Sequence, residues 1–550
     1  MIGLAALARI ALADRQTLSV DEVFSLAMAT GHSLEHPAAV ADVRLGDWVE
    51  LPSAVPAEHY RRYLEHEDPP AGIGRVIRSV RLSDTSPPLY YVLLHYWTRV
   101  FGTGDAALRL LSTVWAMSLF PLLIYLARRV GGQPAVLPAC ILFAVSPTAL
   151  VYSTEGRMYA FVWFLTAALM VLTLEVARHG RRGTLLLWIV TGAAGLLTHY
   201  FFLFVWFACV AWLAIDRARW RRPALWAAVL VTGVIVIPWY ATVPDSLGQW
   251  RVTSGWLDGA PEPRKAVMAP LKLAWGLLSG HGDWDRAGRG RWLVTAVLVL
   301  AAISFGKRAW RRVLSRRRGL LWLCLLGACL GLVAFDVVLG THATLFPRYV
   351  LAGLPAGLAL TAMALGRVRP VLRVGLLALI VVAALPADRA LFMKPARYNH
   401  EFRQIAADLR AAGPSRDVVA LVHSTPTGVL GVSRYADREA RIASWVGQLR
   451  QRLVPESVHT LTGGYATVVF IMIHAVGEPA PEEDWLRANA TVVSDVRHGG
   501  ARLVTFRPHA RAHSSGGDPA SRGSKSYSFL ERNTTKNKNP SESKNSAGSW

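Results

Sequence analysis

Residues Thr184–Ile215 read TLLLWIVTGAAGLLTHYFFLFVWFACVAWLAI, and they lie between two basic clusters, Arg178-His179-Gly180-Arg181-Arg182 and Arg217 to Arg222. A span of the hydrocarbon core needs about 20 apolar residues. Short Lys/Arg clusters beside spans mark the cytoplasmic side. An apolar run with such a cluster at each end must therefore cross an even number of times. It is a hairpin, turning near Thr198-His199-Tyr200.

The same pattern extends outward in both directions. Further clusters stand at Ala127-Arg128-Arg129, Lys307 to Arg318 and Arg367 to Arg373. Between them the apolar runs 106–127, 134–151, 157–177, 224–241, 291–306, 319–339, 346–366 and 371–391 alternate in direction without conflict. With Met1 to Ala13 as a short first span this gives about eleven transmembrane helices. The odd number places the amino terminus inside and everything after residue 392 outside. The first run lacks a cleavage site and is shorter than a full span, so a native start codon upstream of Met1 stays open. Composition agrees with a polytopic membrane protein: 53% of residues are hydrophobic and 20 are Trp. The net charge of +23 belongs to the loop clusters rather than to a nucleic-acid groove. The four Cys, at 140, 209, 324 and 329, all fall in apolar runs with no metal-binding spacing, and read as packing residues.

Three stretches on the outer face are long: residues 14–105, residues 242–290 and the carboxy-terminal region. Within the first, Pro87 to Trp97 is an aromatic-rich apolar run, which parity excludes as a span and which suits a helix in the interface plane. Val267 to Leu278 takes the same reading. From Tyr398 to Pro508 the pattern becomes mixed α/β. It predicts a helix at 401–411, a strand at Asp417 to His423, a second helix near 440–453, a strand at Thr467 to Ile473 and a last strand at Arg502 to Phe506. The domain reading is a transmembrane module at 1–392 with its long first loop at 14–105, an extracytoplasmic α/β domain at 393–508, and a disordered Ser/Asn/Lys-rich tail at 509–550.

Ionisable groups near hydrocarbon are costly, about 2.5–3.5 kcal/mol at a span's centre, so those at outer span ends mark function. Asp21 and Glu22 follow the first run, Asp84 precedes Pro87-Pro88, and Glu155 and Arg157 sit between two runs. His199 and Tyr200 mark the hairpin tip, and Asp336, His342, Arg348 and Tyr349 cluster near residue 340. Each has a bland reading: Arg348 as a snorkelling anchor, His199 as a helix-end hydrogen-bonder, Asp336 as the partner of a neighbouring Arg. None explains why all choose one face. Their chemistry suits transfer of a group carried on an anionic lipid, with guanidinium on phosphate and a carboxylate as general base.

The Asp21-Glu22 pair, Asp84-Thr85-Ser86-Pro87-Pro88-Leu89-Tyr90-Tyr91 with Leu94-His95-Tyr96-Trp97 and Phe101-Gly102, and Ala107-Leu108-Arg109-Leu110-Leu111-Ser112 resemble the amino-terminal half of the GT-C membrane glycosyltransferases. The resemblance is to the bacterial protein mannosyltransferase-like and aminoarabinose transferase-like branch. Ser153 to Tyr159, Thr198-His199-Tyr200 and Phe346-Pro347-Arg348-Tyr349 are similar to its later landmarks, so the likeness runs over residues 14–366. Thr85-Ser86 departs from it, standing where the family has His before the Pro-Pro pair. The resemblance implies a polyprenyl-phosphate sugar donor, inversion at the anomeric carbon and an extracytoplasmic site in a bacterial plasma membrane. It implies Asp21 as the catalytic acidic residue with Glu22 beside it, Glu155 as a second acidic site, and Arg348 as a lipid-phosphate contact, with Arg157 and Tyr349 alongside. Asp84, His199, Tyr200, Asp336 and His342 are further candidates. The sugar, the acceptor (lipid, glycan or protein) and any metal remain open, because a carboxylate pair with a nearby His can hold a divalent ion but the spacing specifies none. A transporter or flippase of a lipid-linked saccharide is the alternative. Against it, the runs do not form two similar halves and the charges sit at the rim, not at mid-bilayer.

Overall fold

The computed structural model describes residues 1–34, 41–84, 86–215, 222–247, 263–279, 316–394, 401–473 and 480–509, with isolated positions between them. Among the described residues, six helices are long and apolar enough to cross a membrane: Asp105–Gly131, Tyr159–His179, Pro223–Asp245, Arg318–Leu339, Pro347–Gly366 and Pro370–Met393. The predicted hairpin is present as two shorter apolar helices, Arg182–Leu196 and Phe202–Ala214, turning at Leu197–Phe201. The chain is a multi-pass helical membrane protein. Most of the 291–306 run, and the tail beyond 509, lie outside the described residues.

The span expected at 134–151 is made of two helices, Gln133–Val145 and Pro147–Ser153, bent by 63°. Ser146 between them is extended, at φ −66° and ψ 120°, and its hydroxyl accepts from Ala149 N. Pro147 cannot donate to the preceding turn and restricts Ser146 to extended backbone, so the helix breaks there.

The helices used below are α1 (Ile2–Ala13), α2 (Val20–Ala29), α3 (Ala57–Arg61), α4 (Ile73–Ser83), α5 (Leu89–Phe101) and α6 (Asp105–Gly131). Four of these, α2 to α5, belong to the long loop at 14–105, which is therefore a folded layer. The predicted helix over the aromatic run is α5. Its buried face, Tyr90, Tyr91, Leu94, His95 and Thr98, packs on the rest of the layer, while Tyr96, Val100 and Phe101 are exposed. The Val267 to Leu278 stretch is also helical, within Pro263–Ser279.

Beyond the last span lies a six-stranded sheet in the order β1-β3-β2-β4-β6-β5. Its strands are β1 (Val55–Pro56), β2 (Val418–His423), β3 (Arg441–Trp445), β4 (Thr467–Ile473), β5 (Ala490–His498) and β6 (Ala501–Pro508). β2 pairs parallel with β3 and with β4, and β6 and β5 add antiparallel. The central strands are apolar on both faces, as parallel strands covered by helices must be.

The helix expected near 440–453 is a correction. Arg441–Trp445 is an inner strand followed by a short 3-10 turn at Gly447–Leu449, and the neighbouring helices are Pro426–Tyr435 and Glu456–Thr462. Ile442, Val446, Leu449 and Leu453 recur at helical spacing, which disguised a five-residue strand too short to show its own period. Strand β1 comes from the long loop at 14–105, not from the carboxy-terminal region, and pairs antiparallel with β3 through Val55–Ile442 and Pro56–Arg441. The sheet and the loop are one layer on the membrane module.

Candidate active site

Asp21 and Glu22 are adjacent in sequence and opposite in surroundings. Ser19 is the N-cap of α2 and forms a capping box with Glu22: Ser19 N donates to Glu22 Oε2 at 2.8 Å, and Glu22 N donates to Ser19 Oγ at 3.3 Å. In this helix register Glu22 points into the protein, where it is fully buried. Arg109 of α6, equally buried, donates Nε to Glu22 Oε1 at 2.6 Å and Nη2 to Oε2 at 2.8 Å. Gly156 N adds a third kind of donor, at 2.9 Å to Oε1. The remaining Arg109 N–H groups reach the carbonyls of Ala13 (2.9 Å), Gln16 (2.7 Å) and Thr17 (2.8 Å). A buried guanidinium with its donors filled in this way is a structural hub.

Asp21 faces the other way. Its carboxylate accepts from Arg348 Nη1 at 2.6 Å, and the two side chains keep 33% and 19% of their surface exposed. Arg348 also lies over the Phe346 ring, 5.6 Å from its centroid. Beside this pair stands a second one. Arg157 Nη1 reaches Asp84 Oδ2 at 3.4 Å, Tyr91 OH at 3.1 Å and Ser25 Oγ at 3.1 Å. Tyr91 OH donates to Asp84 Oδ2 at 2.9 Å, and Ser25 Oγ donates to the Asp21 carbonyl at 2.9 Å, joining the pairs. Arg157 Nε is buried without a hydrogen-bond partner among the described residues.

Tyr159, His199, Phe201 and Tyr349 wall this polar strip. His199 sits 6.1 Å from Tyr159 and 6.4 Å from Tyr349 between ring centroids. Burial, and secondarily the Arg157 charge, lower the His199 pKa to about 4. Its Nδ1 accepts from Phe201 N at 3.2 Å, so the ring is a neutral imidazole with Nε2 carrying the proton. The strip thus presents two guanidinium groups, each shared with a carboxylate, beside buried aromatic side chains.

Residues 85–241 match the family described as dolichyl-phosphate-mannose-protein mannosyltransferase. The fold is shared with ArnT from Cupriavidus metallidurans. The ArnT structure bound to undecaprenyl phosphate aligns at a TM-score of 0.56 and 15% identity, over 92% of this chain and 97% of that one. The chain shares that fold over nearly its whole length. The apo ArnT structure aligns at 0.53 and 14% identity, covering 92% of this chain and 96% of that one. Arabinofuranosyltransferase AftD from Mycobacteria aligns at 0.36 and 14% identity, covering 91% and 42%. No curated protein matches the sequence significantly.

In this fold the structure brings Asp21, Arg348, Asp84, Arg157, His199 and Tyr349 together. Glu155 lies on the Arg157 turn, fully buried and near enough for its charge to act on Tyr90 and Tyr159. Three candidates go elsewhere. Asp336 is fully buried and holds its own turn, accepting from Thr341 Oγ1 at 2.7 Å, Ala343 N at 2.8 Å and Thr344 N at 2.8 Å. Tyr200 turns toward Pro223–Tyr240, where its hydroxyl accepts from Trp239 Nε1 at 3.2 Å. His342 packs against Phe346 with its backbone bonded to Leu257 O. A charge or aromatic group at a span end can serve the turn it sits in, and sequence does not separate the two cases. Among the described residues no group of three His, Cys, Asp or Glu is placed to hold a metal. Sequence reasoning missed Arg109, Ser25, Tyr91 and Tyr159 as parts of the site. Arg109 had a signal, a cation one turn into an apolar helix, which must find a buried partner.

Proposed function

We propose that this transferase moves a sugar from a polyprenyl-phosphate donor to an acceptor on the extracytoplasmic face of a bacterial plasma membrane, with inversion at the anomeric carbon and Asp21 as general base. The observation that carries the reading is the 2.6 Å contact between Arg348 and a partly exposed Asp21, beside the Arg157–Asp84 pair. A carboxylate whose lone pairs hold a guanidinium is a poor proton acceptor. A phosphodiester arriving at Arg348 competes for that guanidinium and frees Asp21 as the donor binds. The acceptor hydroxyl then attacks the anomeric carbon as its proton passes to Asp21. The bond from that carbon to the phosphate oxygen breaks on the opposite face, and polyprenyl phosphate leaves on Arg348. Lipid phosphate is a good leaving group, so no acid need stand behind it.

The ArnT structure of the same fold is bound to undecaprenyl phosphate, which supports a lipid-phosphate donor for this chain. Neutral His199 and buried Tyr349 supply a wall and a hydrogen-bond donor rather than charge. Glu22, saturated by Arg109, Ser19 and Gly156, has no role with substrate in this scheme. The test is to supply purified protein in proteoliposomes with a panel of polyprenyl-phosphate sugars and read the product's anomeric configuration by NMR. Inverted product from at least one donor is expected. Retention of configuration, or transfer only from nucleotide sugars, overturns the reading.

A further inference from the structure

We propose that Tyr435, on the soluble layer, is a positioning residue for Asp21, which joins the carboxy-terminal sheet to catalysis. The inference rests on the reading of Asp21 as the base. The segment 13–22 leads into α2 and carries Ser19, Asp21 and Glu22. Arg109 holds this segment from the membrane side by the carbonyls of Ala13, Gln16 and Thr17. The amide of Leu18 is left facing the soluble layer. It donates to Tyr435 OH at 2.8 Å, and Leu18 itself is fully buried.

Tyr435 is fixed in turn. Its hydroxyl donates to Asp105 Oδ2, and its ring stacks on Phe402 with centroids 6.3 Å apart. Asp105, only 9% exposed, is also held by Arg434 Nε at 2.9 Å and Arg403 Nη2 at 3.3 Å. Arg434 Nη2 donates to Thr103 O at 2.7 Å, and Arg403 Nη1 to Arg15 O at 3.0 Å. Burial, with the Asp105 charge, raises the Tyr435 pKa, so the phenol keeps its proton and plays both donor and acceptor. Asp105 opens α6, the helix that carries Arg109 one turn later. The backbone entering the catalytic carboxylate is therefore clamped between one side chain from below and one from the soluble layer, and both clamps trace to the first turns of α6. Leu18 directly precedes Ser19, the N-cap partner of Glu22, and two residues separate it from Asp21.

The test uses the full chain in proteoliposomes and the variant Tyr435→Phe, which keeps the ring contacts with Phe402 and Arg403 and removes only the hydroxyl. Two readouts are taken: amide hydrogen exchange of the peptide spanning residues 15–24, and the kcat and KM for the polyprenyl-phosphate donor. Faster exchange in that peptide is expected, with kcat lowered about tenfold and KM for the donor within about twofold, because a small misplacement of the base costs rate and not binding. Asp105→Asn, which keeps an acceptor for the phenol, is expected to fall between the two. Unchanged exchange overturns the clamp. Faster exchange with unchanged kcat, in a protein whose Asp21→Asn variant is inactive, overturns the positioning role. An active Asp21→Asn variant overturns instead the assignment of the base, and leaves the exchange result as a separate measurement of the clamp.

Discussion

Substituting the two neighbouring carboxylates conservatively should separate fold from chemistry. Glu22→Gln keeps the shape of the side chain but turns one acceptor oxygen into an N–H₂ group that faces the Arg109 donors. It leaves a fully buried guanidinium without its counter-charge. Breaking a buried, hydrogen-bonded ion pair on one side costs about 3–5 kcal/mol, and the capping contact to Ser19 N is weakened as well. Asp21→Asn removes a charge from a pair whose side chains are 33% and 19% exposed, where the expected cost is about 0–1 kcal/mol. The assay is unfolding of each variant in mixed micelles at rising SDS fraction, followed by tryptophan fluorescence. A double-mutant cycle with Arg109→Met should show a coupling above about 2 kcal/mol. Equal stability of Glu22→Gln and wild type, or additive losses in the cycle, would refute the view that Glu22 and Arg109 act as a buried structural unit.

Three further outcomes follow from the same geometry. Arg348→Lys keeps the charge but loses the planar fork that matches a phosphate, so donor affinity should fall about tenfold with stability unchanged; equal donor KM values would remove Arg348 from the phosphate site. Asp336→Ala leaves three donors of the 341–344 turn without their acceptor, at a cost of about 2–3 kcal/mol in the micelle assay; a silent substitution would contradict that role. His32, buried in the long loop at 14–105, has its pKa lowered to about 4 by burial first and then by the Arg75 charge. Its folded value lies below the unfolded value of about 6.5, so the unfolded state binds the extra proton and stability falls as pH drops from 6.5 toward 4. Wild type should lose about 2 kcal/mol more than His32→Gln between pH 7.5 and pH 5, and parallel pH profiles would rule this out.

The membrane architecture was legible because it rests on length, apolarity and the placement of arginines, all local properties of sequence. The parity argument that made Thr184–Ile215 a hairpin is matched by two short helices with His199 at the turn. Much of the polar cluster could be read from sequence as charges at span ends, but its internal arrangement could not. Nothing in Val20-Asp21-Glu22-Val23 says which carboxylate turns inward. That follows from the capping box with Ser19, which commits Glu22 to the N3 position, and from Arg109, which lies 87 residues later in the chain. Asp336 stood among the site candidates for the same reason it is structural: a buried carboxylate at a span end must be satisfied, and backbone amides serve as well as a ligand. The strand taken as a helix at 440–453, and β1 drawn from the first loop, depend on long-range pairing that a local period cannot reveal.

The central claim is that Asp21 is the base and Arg348 its partner until the donor phosphate arrives. The direct measurement is the single-turnover rate of sugar transfer by Asp21→Asn in proteoliposomes, beside donor binding to the same variant. The account predicts loss of transfer by about a thousandfold, with donor affinity retained or improved because Arg348 no longer has a competing carboxylate. Transfer at the wild-type rate by Asp21→Asn would contradict it.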